Sequence, residues 1–597
     1  MILQTLQFLS QKRSLEYLVF ILILILATVL SCYRIAEPAW DVPHPINYGG
    51  AVDGWRSLFL PEWGSVARGY FKFGFLKTGP GQVAYTRPDN PTIFHHRVDH
   101  PPLLPLLASL SFRVFGVHEW SARLVLLLSS TGLMLLIFGL AYELGGMKAG
   151  LMASFLFALF PVRVCYSTLF FPHTLASFFS LLTFFFYLWW VVKGETKYYA
   201  GMYVSFVLGA LADWITYFVV PPILLHYLIC EYKQTRNLKF VLFFGLMPFV
   251  SIGIHLGWTY MLGGKWALEG LLDRFLIRAV SGGTGEGETG FTPWDLYTFG
   301  YTRAKVFLTP MVCFLSAVWF VGCVVTSLDK KFLRPNSFVL ALFLFGLSHN
   351  LVFSNRVYYH DIVMFFHLTP FFALAATFGI QFIVEKVLWN RMTWAIPFVV
   401  LIVYAFGAQS IPVMGWLLKT PVWPDPYLGG SKVNEITDES TEIMSSFDTD
   451  LRMLFYGDRA WSVVRDMDTM RRLLEAGGDF MYMLDAKSAE AATRELREYL
   501  VRNHPVETFY GYSFFDLQKS GSNTILQSPQ IEHPAAINLG DKLMFLGYNV
   551  ERVIQKRGEP SWLEKYLKGH PELLPGHRTF FRITYFWRCL KEMERDY

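Results

Sequence analysis

Formal charge is scarce in this chain: only 17% of its 597 residues are Asp, Glu, Lys or Arg, against roughly a quarter in an ordinary soluble protein. That composition excludes a disordered polymer, a coiled coil or a collagen. The net charge of +5 is too small for a nucleic-acid footprint. Cysteine is scarcer still, with six residues (Cys32, Cys165, Cys230, Cys313, Cys323, Cys589) mostly inside apolar runs and without ligand-like spacing. A disulfide-stapled secreted scaffold is thereby excluded. No repeat of fixed period is evident, and the glycine-rich run 282–290 lacks the following helix that a phosphate-cradling loop requires. The first apolar run has no small-residue cleavage site, so it is expected to be an anchor rather than a cleaved signal peptide.

What is abundant is apolar surface. Hydrophobic residues make up 53% of the chain, and 55 Phe, 30 Tyr and 18 Trp make it 17% aromatic. A soluble interior cannot hold that much, so the excess must face lipid. The expected fold is a polytopic α-helical membrane protein of about eleven spans. They are Tyr17–Cys32, Leu124–Tyr142, hairpins within Lys148–Lys193 and Lys197–Lys233, Phe240–Leu262, Val306–Leu328, a hairpin within Ser337–Val384, and Thr393–Leu418. Cation-rich connectors on one side put the amino end in the cytoplasm. The first loop (34–101), the loop 263–303 and everything after Thr420 then fall outside. Two domains are expected, a membrane module over 1–419 and an extracytoplasmic α/β domain over 420–597, joined by a linker with Pro421, Pro424 and Pro426. In the second, apolar strings at Leu451–Tyr456, Phe480–Leu484 and Ser513–Leu517 alternate with a helical stretch Ala486–Asn503.

Lone ionised residues near membrane depth are costly, and Arg163, Asp213 and the group Arg356/His360/Asp361 all fall at outer turns, which locates a site on that face. In the first loop, Glu62–Phe75 has apolar residues at helical spacing with Arg68 and Lys72 on another face, which predicts a helix lying flat in the interface. Leu103–Phe115 is apolar but only thirteen residues long, too short to span. An aspartate held between two such helices suits a general base, worth ~10²–10⁴ in rate. The triplets Asp448-Thr-Asp450 and Asp466-Met-Asp468 imitate a metal-binding pattern but lie far along the chain from that loop.

Several ordered motifs carry a family resemblance: Asp53-Gly-Trp, Ser65-Val-Ala-Arg68 with Phe73-Gly-Phe75, His100-Pro-Pro-Leu103, and Phe115-Gly-Val-His118-Glu119-Trp-Ser-Ala-Arg123-Leu, with looser matches at Asp213-Trp214 and His360-Asp361. Over about residues 14–415 the chain resembles bacterial members of glycosyltransferase family 39, GT-C enzymes related to protein O-mannosyltransferases and to the aminoarabinose transferase of lipid A. The resemblance implies an inverting transfer of a sugar from a polyprenyl-phosphate donor to a protein, lipid or glycan acceptor on the outer face of the plasma (inner) membrane, without nucleic acid.

By that carry-over Asp53 matches the first-loop catalytic acid, Asp99 and His100 the polar pair opening the Pro-Pro-Leu box, and Arg123 the end of its segment. A leaving phosphate departs without protonation, so the site needs cations, for which His100, Arg303 and His360 are candidates, with Asp213 and Asp361 as further substrate contacts. Two departures leave alternatives open. Relatives carry adjacent acids where this chain has Pro61-Glu62, so the base is Asp53 or Glu62, with Asp53 preferred for its Gly-Trp context. Where relatives show an acid after the third span, this chain has Phe171-Pro172-His173. His173 is either a substitute ligand for a divalent metal, the one cofactor left open, or a helix-starting polar residue. The alternative function is a transporter or flippase for a lipid-linked or polar substrate, although the chain shows no duplicated halves.

Overall fold

The structure, a computed structural model, describes residues 14–37, 56–79, 82–86, 94–97, 100–279, 292–326, 330–359, 361–417, 424–448, 451–485, 488–509, 511–520, 530–539, 543–555 and 578–589. The amino-terminal helix α1 (Ser14–Cys32) is apolar on every side, and Leu15, Leu22 and Val29 stand exposed along it. Such a face is stable only against lipid. Helix α2 (Arg56–Phe73), the hairpin β1–β2 (Gln82–Thr86 with Phe94–Arg97) and α3 follow; α3 spans Leu103–Phe115, the short apolar helix expected there.

The bundle proper comprises α4 (Glu119–Ala158), the short α5 (Pro161–Tyr166), α6 (His173–Lys193), α7 (Thr196–Ala210) and α8 (Trp214–Glu231), which opens as a 3₁₀ turn and closes as a π turn. It continues with α9 (Leu238–Ala279), α10 (Pro293–Phe307), α11 (Pro310–Thr326), α12 (Lys330–Val352), α13 (Ser354–Tyr359), α14 (Asp361–Phe366), α15 (Thr369–Phe382) and α16 (Met392–Leu417). At forty residues α4 would extend about 60 Å if straight, twice the roughly 30 Å hydrocarbon core. It breaks at Gly146, whose φ of 79° is the left-handed conformation that glycine adopts without a Cβ clash.

Among the described residues eight helices are long and apolar enough to cross a membrane, and the pair Tyr297–Phe307 and Pro310–Val325, bent by 111°, is either a ninth, broken span or a re-entrant loop. The other two of the eleven expected segments are helical but short: the part of α4 beyond Gly146, and the fifteen residues of α7. One continuous apolar core runs through the bundle from Ile23 to Met414 and also takes in Phe455.

The carboxyl-terminal region contains α17 (Pro424–Ile436), β3 (Glu442–Ser445), α18 (Leu451–Gly457), β4 (Ala460–Val463), α19 (Met467–Glu475), β5 (Phe480–Asp485), α20 (Arg494–Asn503), β6 (Val506–Phe509) and β7 (Tyr512–Asp516). The strands form one sheet in the order β4-β3-β5-β7-β6, with β3 parallel to β4 and β5 and the remaining pairs antiparallel. Residues alternate between its two faces: Met444, Tyr482 and Phe515 join one buried cluster, Ile443, Met481 and Phe514 the other. Strands β8 (His533–Leu539), β9 (Leu543–Gln555) and β10 (Arg578–Cys589) form a separate antiparallel sheet.

Two local expectations are corrected. Leu451–Tyr456, grouped in sequence with strand-like strings, is helical, as its Leu and Met content favours. The polar face of α2 that bears Arg68 and Lys72, expected only as one side of an interfacial helix, is covered by α18, which buries Arg68.

Candidate functional site

The polar residues at one end of the bundle are held where helices start and stop. Helix α7 ends at Ala210, and the backbone turn after it leaves Asp213 extended at φ −163°. One carboxylate oxygen of Asp213 caps the 3₁₀ opening of α8, accepting from Trp214 N at 2.6 Å. The other lies 3.2 Å from Nδ1 of His173, the first residue of α6, and both side chains are 2% exposed. His100 and Arg356 lie in the surroundings of the same carboxylate. The His-Pro-Pro-Leu box is anchored to this turn directly, since Leu103 N donates to Leu211 O at 2.9 Å.

Around the Asp213–His173 pair the neighbours are aromatic or imidazole. The ring of His173 stands edge-on to Phe171 at 4.4 Å and to His367 at 4.8 Å between centroids. His367 Nδ1 is 2.7 Å from Ser177 Oγ, one turn along α6 from His173, and His349 of α12 lies 5.6 Å from His367. Arg356 of α13 stands over the Phe171 ring at 5.8 Å, and His100 meets the Trp63 ring of α2 at 5.1 Å. Seven elements or their flanking turns thus converge on one buried carboxylate ringed by nitrogen bases. Such a site can hold an anionic group beside a fixed negative charge.

The sequence candidates divide into three groups. His100, Asp213 and His173 are brought together, with Glu62 half-buried on α2 next to Trp63. Arg303 and Arg123 are buried but point at backbone. Arg303 Nη1 and Nη2 donate to Val357 O at 2.8 Å and Tyr358 O at 2.6 Å, gripping α13 just after Arg356. Arg123 Nη1 donates to the carbonyls of Ile35 and Glu37 at 2.8 and 2.6 Å, closing the turn after α1. Arg163 likewise serves Ala27 O, Ala158 O and the hydroxyls of Ser31 and Ser130. Asp53, Asp99 and His360 lie outside the described residues, and Asp361 opens α14.

Among the described residues no group of three or more His, Cys, Asp or Glu side chains is arranged to hold a metal ion; His173 pairs with Asp213 instead. The Asp466 triplet is accounted for by capping: Asp466 accepts from Thr469 N at 2.8 Å, and that bond lowers its carboxyl pKa. Sequence reasoning passed over Arg356 as a ligand, together with His349, His367 and Ser177. The signal available was an uncompensated imidazole inside an apolar run, as costly at membrane depth as a formal charge.

Comparison with known proteins bears on this arrangement. Residues 99–258, from the His-Pro-Pro-Leu box through α8 and into α9, match the family model of dolichyl-phosphate-mannose-protein mannosyltransferase. An uncharacterized protein of Aquifex aeolicus (strain VF5) is 26% identical over 290 residues, covering 47% of this chain; the chain spans 61% of that relative's length. The crystal structure of ArnT from Cupriavidus metallidurans bound to undecaprenyl phosphate superposes with a TM-score of 0.55 at 13% identity, over 83% of this chain and 97% of that one. An Archaeoglobus fulgidus oligosaccharyltransferase in complex with zinc and sulfate gives a TM-score of 0.50 at 11% identity, over 83% of this chain and 73% of that one. The resemblance read from the motifs is thus matched by a family segment over residues 99–258 and by a polytopic helical membrane fold shared with these structures.

Proposed function

We propose that the protein transfers a sugar, with inversion, from a polyprenyl-phosphate donor to an acceptor on the outer face of the plasma membrane, through a membrane module over 1–419 and an outer-face domain over 420–597. The observation that carries this reading is the buried Asp213–His173 pair with His100 beside it, all inside the segment that matches the mannosyltransferase family, and Arg356 brought to it from outside that segment. The fold it shares with a structure holding undecaprenyl phosphate supports the choice of donor.

In this reading His100 and Arg356 receive the phosphate as it leaves, which stabilises charge where it develops. Arg303 holds α13, and hence Arg356, in place. Asp53, or Glu62 in its stead, takes the acceptor proton; Asp53 precedes α2 by three residues, and Glu62 lies on it. Asp99, His360 and Asp361 complete the donor contacts.

The test is reconstituted full-length protein given a labelled polyprenyl-phosphate sugar and outer-envelope acceptors. Release of free polyprenyl phosphate is expected, reduced by about 10²-fold or more in Asp53→Asn. Unchanged release in that variant removes Asp53 from the mechanism. Movement of label across the bilayer without release identifies a flippase instead.

A further inference from the structure

We infer that the carboxyl-terminal domain clamps α2 through Asp458, making Asp458 a positioning residue for the site; the inference rests on the transferase reading above. Leu60, Trp63 and Ala67 of α2 enter the bundle core, and Trp63 touches His100. The adjoining face, Gly64, Arg68 and Lys72 at four-residue spacing, is covered by α18. A Cβ on Gly64 would stand 2.6 Å from the Phe455 ring, so the two helices are in close contact there.

Arg68 donates to the carbonyls of Leu454 and Phe455, at 3.0 Å for the first, and stands 5.2 Å over the Phe455 ring. These are carbonyls of the last turn of α18, where a cation suits the negative end of the helix; Leu454 O also accepts from Asp458 N at 3.1 Å. Asp458, the next residue after α18, places its two carboxylate oxygens on two cations of α2: Oδ1 is 3.0 Å from Arg68 Nε and Oδ2 is 2.8 Å from Lys72 Nζ. It does so with a φ of 51°, a left-handed conformation that Asp and Asn tolerate better than most residues.

The guanidinium is buried, and burial pushes its pKa down while Asp458 opposes that shift. A guanidinium so enclosed is stable only where acceptors surround it. Trp63 and Arg68 are five residues apart on one rigid helix, so whatever fixes Arg68 also fixes the packing of Trp63 on His100 and the entry of the first loop. The clamp thus couples a domain that contributes none of the pocket residues named above to the geometry of the pocket.

Full-length wild type, Asp458→Asn and Lys72→Arg are compared in lipid nanodiscs. Asn keeps the shape and the left-handed backbone but removes the charge; Arg at 72 keeps the pair. Amides of residues 60–72 in Asp458→Asn are expected to exchange about tenfold faster. Donor turnover should fall about tenfold or more, with KM for the labelled lipid within about twofold, as misplacement of a catalytic loop predicts. Lys72→Arg should match wild type in both measurements. Unchanged α2 exchange in Asp458→Asn overturns the clamp. Faster exchange with unchanged turnover overturns the positioning role. A wild type that releases no polyprenyl phosphate overturns the transferase reading, and the exchange measurement still decides whether the clamp exists.

Discussion

Asp213 serves as a helix cap and as half of a buried carboxylate–imidazole pair, with a different oxygen for each task. Substitution separates the two. Asp213→Asn retains an acceptor for Trp214 N but removes the carboxylate from His173, and a buried polar group that loses its partner costs about 1–3 kcal/mol. Asp213→Ala also removes the cap, for about 1 kcal/mol more. Thermal unfolding in detergent should order the midpoints wild type, Asn, Ala; an Asn variant as stable as wild type would show that the pair contributes nothing to stability. The site was legible where the sequence carried a formal charge in an apolar setting, as at Asp213. It was not legible at His349 and His367, which sit in apolar helices and gain meaning only from a third helix packed against them. The grip of Arg303 on α13 was not legible either, because its acceptors, 54 and 55 residues away in the chain, become its neighbours only on folding.

At the scale of elements, the spans were legible because hydropathy over about twenty residues is set by the bilayer alone. The places where helices break or touch were not, since they depend on a partner's backbone. Gly379 of α15 is the sharpest case: a Cβ there would run into Leu315 O of α11. That neighbour is a main-chain atom inside a helix and cannot rotate away. Gly379→Ala must therefore push α11 and α15 apart, and overpacking of this kind costs about 1–3 kcal/mol. A lower unfolding midpoint and poorer recovery after detergent extraction are expected. Recovery equal to wild type would mean that the two helices slide past each other freely.

Four helices set the polarity of the whole molecule. α6 starts at His173 and ends at Lys193; α8 starts beside Asp213 and ends at Glu231. α12 runs the other way, from Lys330 to His349 and Val352, while α15 starts beside His367 and continues to Lys386 and Val387. At 18 to 23 residues each, they span about 27–35 Å, one hydrocarbon core. The imidazoles and carboxylate of the site therefore sit at one membrane surface, and Lys193, Lys197, Lys330, Arg334 and Lys386 at the other. Cations in short connectors are retained in the cytoplasm, which predicts that the site and the carboxyl-terminal domain face outward. In a cysteine-free background, a membrane-impermeant maleimide applied to cells with a permeabilised outer envelope should label Lys519→Cys, an exposed position in the carboxyl-terminal domain. Lys197→Cys, also exposed, in the first turn of α7, should stay unlabelled until the membrane is opened. The reverse pattern would put the site in the cytosol, where an outer-face acceptor cannot reach it, and the assignment of an outer-face transferase would fall with it.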